Sequence, residues 1–326
     1  MSEVKPLVAV HCLVYNHEPY LRDCFEGFVM QQTNFPFVAI VHDDASTDGS
    51  AAIVREYENK YPHIFKPIYE ESNLYSQVGF EGINQVMNTA IDASGAKYIA
   101  MCEGDDYWTD PLKLQKQVDF MEANPEYGMH ATAFQQIRNT DSKPFKTLRY
   151  SLKEISLDDI LKETWIATMT VMFRVDVTKS YTPPFKKLLM GDLPLWGHIA
   201  LKYKIGYSTD VTAVYRVLES SASHFSNQKD QYIFEFDAIR VRDYYAKLSS
   251  KQDVIKSLYT RSKNILNLCY ENKWFDFPLE LLWDFLIQNT KVSGFDKVKY
   301  FGLKNRFYYS ISQIIIVVIN AIKKIA

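Results

Sequence analysis

The sequence is poor in the residues that define disulfide-rich and zinc-binding proteins. Its 326 residues include only four cysteines, Cys12, Cys24, Cys102 and Cys269, with no C-x-x-C pair and no histidine cluster beside them. Disulfide scaffolds and structural zinc sites need denser and more regular cysteines than these. We therefore expect buried free thiols in a reducing compartment.

An excess of positive charge and a long apolar run are also missing. The chain has 37 Lys and Arg against 39 Asp and Glu, so no basic field attracts nucleic acid, and we exclude it as a partner. No stretch of 18 apolar residues predicts a membrane span. The first residues lack the basic start and cleavage site of a signal peptide. These absences favour a cytoplasmic protein.

Two phosphate-binding motifs are absent as well. No G-x-G-x-x-G follows the first predicted strand, and no G-x-x-x-x-G-K-[ST] occurs anywhere. This argues against a dinucleotide-dependent oxidoreductase and a P-loop NTPase. The composition, with 47% hydrophobic and 23% charged residues, is nevertheless that of an ordinary globular protein.

The pattern of apolar residues predicts alternating strands and helices in the first half of the chain. Short apolar runs predict strands over residues 7–14, 37–42, 65–70 and 97–102. Apolar positions three and four residues apart predict helices over residues 18–32, 49–60, 80–93 and 110–123. This alternation favours an α/β fold with a mostly parallel sheet and helices on both faces. Ligands of such sheets bind at the carboxyl ends of the strands.

The second half is more mixed and ends in helices. Further strands are predicted over residues 129–138, 167–174 and 207–217, and then helices over residues 231–248, 252–272, 278–289 and 307–324. We therefore divide the chain into an α/β domain of residues 1–226 and a helical C-terminal region of residues 227–326.

Acidic residues follow two of the predicted strands. Glu103, Asp105 and Asp106 come directly after the fourth strand, where their mutual repulsion would be relieved by a hard cation such as Mg²⁺ or Mn²⁺. A solvated turn that caps the next helix is the alternative. Asp44 follows the second strand, where it could bind a base or ribose or cap the next helix.

The turn after the first strand carries Tyr15 and Asn16. A tyrosine at this edge could stack on a nucleobase while the asparagine fixes the turn, or it could belong to the core.

Four segments together resemble family 2 glycosyltransferases with the GT-A fold: VAVHCLVYNHEPYL, FVAIVHDDASTDGS, ASGAKYIAMCEGDDYWTDPLKLQKQ and MGDLPLW. The segments occur in the expected order, the resemblance covers about residues 6–225, and EGDDYWTDPLKLQKQ is most similar to bacterial enzymes of surface-polysaccharide synthesis. The resemblance implies a metal-dependent enzyme that moves a sugar from a UDP- or dTDP-sugar to a hydroxyl of a glycan or lipid-linked glycan, in O-antigen, capsule or lipopolysaccharide.

The resemblance also implies roles for the donor site. Tyr15 and Asn16 would lie at the base, and Asp44 would hydrogen-bond it. Glu103 and Asp105 occupy the D-x-D motif, which contacts ribose and holds Mn²⁺ or Mg²⁺. The first acid of the motif is Glu here instead of Asp, so Asp105 is the firmer ligand, with Asp106 beside it.

Later residues receive roles in the same way. Asp192 matches the catalytic base of inverting members, and the alternative is that it caps its own helix. Arg216 and His224 resemble a late segment near the diphosphate, with a surface location as the alternative for His224. The rival interpretations of the whole chain are a sugar-phosphate nucleotidyltransferase, which usually has a Gly-rich basic loop where residues 15–18 stand, and an inactive sugar-binding relative.

The end of the sequence combines basic and apolar residues. Residues 291–326 contain seven Lys or Arg and one Asp, and an apolar run of about a dozen residues is too short to span a bilayer. This pattern is typical of an interfacial helix, so residues 305–326 could bind the inner face of the cytoplasmic membrane. The alternative is packing on the catalytic domain or in a homodimer.

Overall fold

The computed structural model describes residues 5–139, 143–218, 227–289 and 292–325. The chain divides into two compact units, Met1–Glu219 and Ser220–Ala326. The first contains the sheet, and the second is formed by helices.

The strands of the first unit join in one sheet. Their bounds are Val8–Val14 (β1), Phe37–Asp43 (β2), Phe65–Tyr69 (β3), Tyr98–Met101 (β4), Tyr107–Trp108 (β5), Tyr127–Arg138 (β6), Lys146–Leu148 (β7), Glu154–Ile155 (β8), Met172–Arg174 (β9) and Lys204–Val217 (β10). The order across the sheet is β3-β2-β1-β4-β9-β6-β10-β5, with β7 on β6 and β8 on β10.

Most long strands of the sheet run in one direction. β1 is parallel to β2 and β4, and β6 is parallel to β10. β9 is antiparallel to both β4 and β6, so these two strands point the same way. The carboxyl ends of β1, β2, β4, β6 and β10 therefore meet at one edge of the sheet, as expected for a ligand site in this class of fold.

Helices cover both faces of the sheet, which confirms the predicted fold class. Their bounds in this unit are Leu21–Val29 (α1), Ser50–Lys60 (α2), Leu74–Ser94 (α3), Lys113–Ala123 (α4), Leu157–Leu161 (α5), Val175–Lys179 (α6) and Asp192–Lys202 (α7). Val10 of β1 packs in a core with Phe25 of α1 and Leu114 of α4. The preceding residue, Ala9, faces the other side of the sheet and lies in a core with Met87 of α3 and Ile199 of α7. This alternation is the two-residue period of a buried strand.

Two predicted elements differ from those observed. The third helix begins at Leu74 instead of about residue 80, because Asn73 caps it and Gly79 interrupts it with φ 67° without ending it. Residues 167–174 do not form one strand: Thr168–Thr170 is a 3₁₀ turn, and only Met172–Arg174 joins the sheet.

The second unit is built from Gln228–Leu248 (α8), Gln252–Glu271 (α9), Leu279–Asn289 (α10), Gly294–Lys304 (α11) and Arg306–Ile325 (α12). Its core includes Phe236, Leu266 and Leu286. Among the residues that the structure describes, none of the helices combines the length and the apolarity that crossing a membrane requires.

Candidate active site

The turns after β1 and β2 are tied together at the carboxyl edge. The Asn16 amide donates to the Ser46 hydroxyl at 3.0 Å, and its side-chain oxygen accepts from the Thr47 amide at 2.7 Å. Asn16 adopts a left-handed conformation with φ 56°, which asparagine tolerates better than most residues. Tyr15 beside it is 45% exposed, so its ring is open to a ligand at this edge.

Asp44 is buried and links the end of β2 to α3. Its two carboxylate oxygens accept hydrogen bonds from the Leu74 amide at 2.6 Å and the Tyr75 amide at 3.0 Å. Asp44 therefore caps α3, and not α2, the next helix in the chain. Because a carboxylate offers about four acceptor positions, these two bonds leave it able to accept from a ligand.

The acidic loop after β4 lies directly against the turn after β1. The Gly104 amide donates to the Leu13 carbonyl at 2.9 Å, which extends the pairing of β4 with β1. A Cβ atom at Gly104 would lie 2.8 Å from Nδ1 of His17, so any larger residue would have to displace that side chain. The neighbours of Gly104, Glu103 and Asp105, are thereby fixed beside the clamped turns.

Glu103 occupies an environment that disfavours its ionised form. Burial raises its pKa to about 7, the charges of Asp105 and Asp192 act in the same direction, and the 2.5 Å hydrogen bond from the Thr168 hydroxyl opposes them. Asp192 is the first residue of α7, where its Oδ1 accepts from the Leu193 amide at 2.7 Å. The fold thus brings Asp192 close enough to Glu103 for the two charges to interact.

Asp106 points away from solvent toward β10. It is 3% exposed, and its Oδ1 accepts from the Arg216 amide at 2.7 Å. Burial and then the charges of Asp105 and Glu103 raise its pKa, which the hydrogen bond from Arg216 counteracts. Asp106 therefore holds the acidic loop on the neighbouring strand.

Arg216 is also buried, and several groups of the chain engage its guanidinium. The guanidinium lies about 5 Å from the ring centres of Tyr20 and Tyr107, at 5.1 and 5.0 Å. It forms an ion pair with Asp23 and donates to the Asn139 carbonyl at 2.7 Å. The sequence carries no local signal for these partners, which come from three different segments. His224 lies outside the described residues.

The segment between α5 and β9 supplies contacts that sequence reasoning missed. Thr168 bonds Glu103, and the Ile166 carbonyl accepts from the indole of Trp196 on α7 at 3.2 Å. The segment therefore connects the acidic loop with the helix that begins at Asp192. An apolar pattern in the sequence predicts burial here but gives no information on these partners.

The acids fit a divalent cation only in combination with a ligand. Within the described ranges, no three His, Cys, Asp or Glu side chains are arranged to hold a metal ion. Mg²⁺ is commonly bound by one or two carboxylates together with substrate phosphates, and oxygen donors of this kind are available from Glu103 and Asp105. Burial is the main cause of the raised pKa of Glu103, and the negative charges of Asp105 and Asp192 add to it; a cation would oppose this repulsion.

Comparison with known families assigns the class of protein. The model of glycosyl transferase family 2 matches residues 10–181, a range that includes the turn after β1, Asp44 and the acidic loop. The chain belongs to glycosyl transferase family 2 and is therefore a transferase, as the sequence motifs predict.

Two relatives show how far this similarity extends. An uncharacterized protein of Mycobacterium tuberculosis is 31% identical over 215 residues, which are 64% of this chain and 58% of the relative. The chain thus spans less than two thirds of the length of this relative. TuaG of Bacillus subtilis, whose name assigns it to teichuronic acid biosynthesis as a glycosyltransferase, is 29% identical over 224 residues, 68% of this chain and 84% of TuaG.

Solved structures show the same fold. TarS residues 1–349 of S. aureus, in complex with UDP-GlcNAc, align with a TM-score of 0.54 at 19% identity, over 73% of this chain and 66% of that one. The mannosyltransferase PcManGT of Pyrobaculum calidifontis, in complex with GDP-Man and Mn²⁺, aligns with a TM-score of 0.50 at 16% identity, over 74% and 64%. The predicted GT-A fold is confirmed.

Proposed function

We propose that this chain transfers a sugar from a UDP- or dTDP-sugar to a hydroxyl of a glycan or lipid-linked glycan during synthesis of a surface polysaccharide. The observation that carries the proposal is the convergence of Glu103, Asp105 and Asp192 at the carboxyl edge, beside the clamped turns of Tyr15 and Asp44. The name of TuaG and the UDP-GlcNAc complex of TarS support the polysaccharide and the type of donor.

The donor would occupy the half of the edge formed by β1, β2 and β4. The exposed ring of Tyr15 suits stacking on the base, with Asn16 holding its turn. Asp44 retains acceptor capacity for an N–H of the base. Glu103 and Asp105 would then face the ribose and diphosphate.

A divalent cation, Mn²⁺ or Mg²⁺, fits this assignment. Asp105 would hold it, while the role of Asp106 as a second ligand stays a prediction, since its side chain is buried and its Oδ1 accepts from the Arg216 amide. When bound, such an ion stabilises the negative charge of a departing nucleoside diphosphate. The roles of Arg216 and His224 near the diphosphate stay predictions.

Asp192 would act on the acceptor. A carboxylate within reach of the acceptor hydroxyl takes its proton as the oxygen attacks the anomeric carbon, an effect worth about 10²- to 10⁴-fold. The bond from that oxygen to the sugar forms as the bond to the diphosphate breaks, which inverts the anomeric centre in a single displacement. The location of Asp192 at the first turn of α7, close to Glu103, supports this role.

Nucleotide binding tests the donor site. Calorimetry with UDP, dTDP and GDP, each with and without Mn²⁺, should show Mn²⁺-dependent binding of UDP or dTDP by the wild type. Asp105→Asn should weaken that binding at least about tenfold, the effect of about 1.4 kcal/mol. Asp119→Asn, which changes an exposed acid on α4, is the matched control. Equal Mn²⁺-dependent affinity in Asp105→Asn and the wild type would refute the metal role.

The outer face of α12 supports a membrane as a partner of the second unit. One side of the helix is held by Tyr309, whose hydroxyl donates to the Tyr270 carbonyl at 2.8 Å. The opposite side exposes a set of aliphatic residues, Ile311, Ile314, Ile315, Val317 and Val318, of which Ile314 is 65% and Val317 67% exposed.

The charge of residues 291–326 favours a membrane over a second copy of the chain as the partner of this face. Seven basic residues against one acidic residue over 291–326 complement an anionic lipid surface, whereas they would repel an identical segment of a second copy. We therefore assign the face to anionic phospholipid at the inner leaflet, where lipid-linked acceptors would be available.

Flotation of the full chain with vesicles tests this assignment. The wild type should float with vesicles of phosphatidylcholine and phosphatidylglycerol but less with phosphatidylcholine alone. Val318→Glu should lose flotation, while Asn320→Glu, the same added charge on an exposed polar position of the helix, should retain it. Unchanged flotation of Val318→Glu would end the membrane assignment, and loss of a dimer in that variant would assign the face to a second copy.

A further inference from the structure

Trp165 is a large apolar side chain held in a fixed position at the surface. It is 36% exposed, and its ring meets Phe134 edge-on at 5.0 Å and Tyr215 edge-on at 5.1 Å. The hydroxyl of Tyr150 fixes its backbone, since it accepts from the Trp165 amide and donates to the Trp165 carbonyl, both at 3.0 Å. A rigidly mounted, partly exposed indole is typical of a binding surface.

The ring lies at the same edge of the sheet as the acids. Phe134 and Tyr215 belong to β6 and β10, and Tyr215 is close to the carboxyl end of its strand. Only two residues separate Trp165 from Thr168, the hydrogen-bond partner of Glu103. Its neighbour Ile166 accepts from Trp196 of α7, the helix that begins at Asp192. Trp165 therefore borders the acids on the side opposite to β1 and β2.

This position separates two substrates. In the proposed function the donor lies over β1, β2 and β4, and its reacting end meets Glu103 and Asp105. The acceptor must approach from the other side to reach Asp192, and that side is the one on which β6, β10 and Trp165 lie. A pyranose ring presents a flat face of C–H groups bordered by hydroxyls, and such a face is attracted to the electron-rich face of an indole.

We infer that Trp165, supported by Tyr215 and Phe134, is a platform on which a sugar ring of the acceptor stacks. The inference rests on the proposed function and deepens it by adding a residue that determines acceptor binding. Removal of the Trp165 ring should weaken acceptor binding and leave donor binding unchanged, because the acidic loop separates Trp165 from the turns after β1 and β2.

Fluorine NMR of the full chain labelled with 5-fluorotryptophan tests the platform directly. The chain has five tryptophans, and Trp165→Phe identifies the signal of Trp165. Octyl β-glycosides of glucose, galactose and N-acetylglucosamine serve as probes, in the presence of UDP. At least one of them should shift the Trp165 signal in a saturable manner. No saturable shift of Trp165 with any of the three would overturn the inference.

Kinetics with the glycoside that binds provide the second readout. Trp165→Ala should raise the KM for that glycoside about tenfold, equivalent to about 1.4 kcal/mol, with little change in kcat, and Trp165→Phe should recover most of the loss. Asp176→Asn, which changes an exposed acid on α6, is the control. An unchanged KM in Trp165→Ala would also overturn the platform. Binding of UDP, measured on the same samples, does not depend on the Trp165 platform. Absence of UDP binding by the wild type would therefore contradict the proposed donor site instead of the platform.

Discussion

The carboxyl edge of the sheet and the outer face of α12 are both exposed to solvent, but the first consists of hydrogen-bonded polar residues and the second of aliphatic residues. At the edge, Asn16, Asp44 and Glu103 each engage a group from a distant segment through a hydrogen bond. On α12, aliphatic residues such as Ile314 and Val317 are exposed in a row on one helix. The first arrangement fixes individual polar atoms for a small ligand, and the second offers apolar area to an extended partner. The difference shows how composition of an exposed surface indicates the kind of partner.

The largest effect is expected from the acid on α7. Asp192→Asn should reduce sugar transfer to alkyl glycosides by about 10²- to 10⁴-fold, because the amide cannot take a proton, while calorimetric binding of UDP is retained. Asp176→Asn, an exposed acid in the first turn of α6, should leave transfer unchanged. Wild-type turnover by Asp192→Asn would show that another group is the base.

The close contact of Gly104 with the side chains of His17 and Leu21 should have the next largest effect, on the free energy of unfolding. Gly104→Ala places a Cβ atom 2.8 Å from Nδ1 of His17 and 3.0 Å from the side chain of Leu21, so it should destabilise the chain by about 1–3 kcal/mol in urea unfolding. Gly191→Ala is the control, since a Cβ there meets nothing within 4 Å. Equal urea midpoints for both variants would mean that the acidic loop does not contact the turn after β1.

A buried cation beneath the edge should make the stability of the first unit depend on pH. Burial lowers the pKa of Lys113 to about 7, although its Nζ donates to Gln117 at 2.5 Å. In the unfolded chain the Lys113 amine stays protonated up to about pH 10.5. Burial of this charge therefore lowers the free energy of unfolding by its full amount below pH 7, and the loss decreases as the pH rises to 10.5.

Lys113→Met should therefore remove a rise in stability of up to about 1.4 kcal/mol per pH unit across that window. Denaturant unfolding of both proteins between pH 6 and 10 measures the difference. Lys116→Met, an exposed lysine one turn along α4, should keep the wild-type slope. Parallel curves for the wild type and Lys113→Met would contradict the lowered pKa.

The smallest effect on folding is expected on α12. Ile314→Ser or Val317→Ser removes only exposed side chains, so the free energy of unfolding should change by less than about 0.5 kcal/mol. Leu286→Ala, in the core of the same unit, should cost about 2–5 kcal/mol. A large loss of stability in Ile314→Ser would show that the outer face is covered within the chain.

The sequence predicts the regular parts of the first unit closely. β1 and β2 agree with the predicted strands within one residue, because buried parallel strands are continuous apolar runs. The sequence misses the first turn of α3 because Gly79 interrupts the helix, and because Asp44, which binds the Leu74 amide in addition to the Asn73 cap, lies about 30 residues earlier in the chain. The sequence predicts Asp44, Glu103 and Asp105 as site residues because they follow strands directly, whereas Asp192 is predicted only through the family resemblance. Thr168 and Trp165 are not predicted, because their importance depends on which distant residues the fold places beside them.

The anchoring of α3 by Asp44 has a consequence for the speed and strength of ligand capture. Both amides at the start of that helix are already engaged by the carboxylate. If α3 borders the donor site as proposed, this side of the site exists before a nucleotide binds, and association does not carry the entropic cost of ordering it. Donor affinity should consequently depend on contacts made by the ligand itself, and not on a folding step coupled to its arrival.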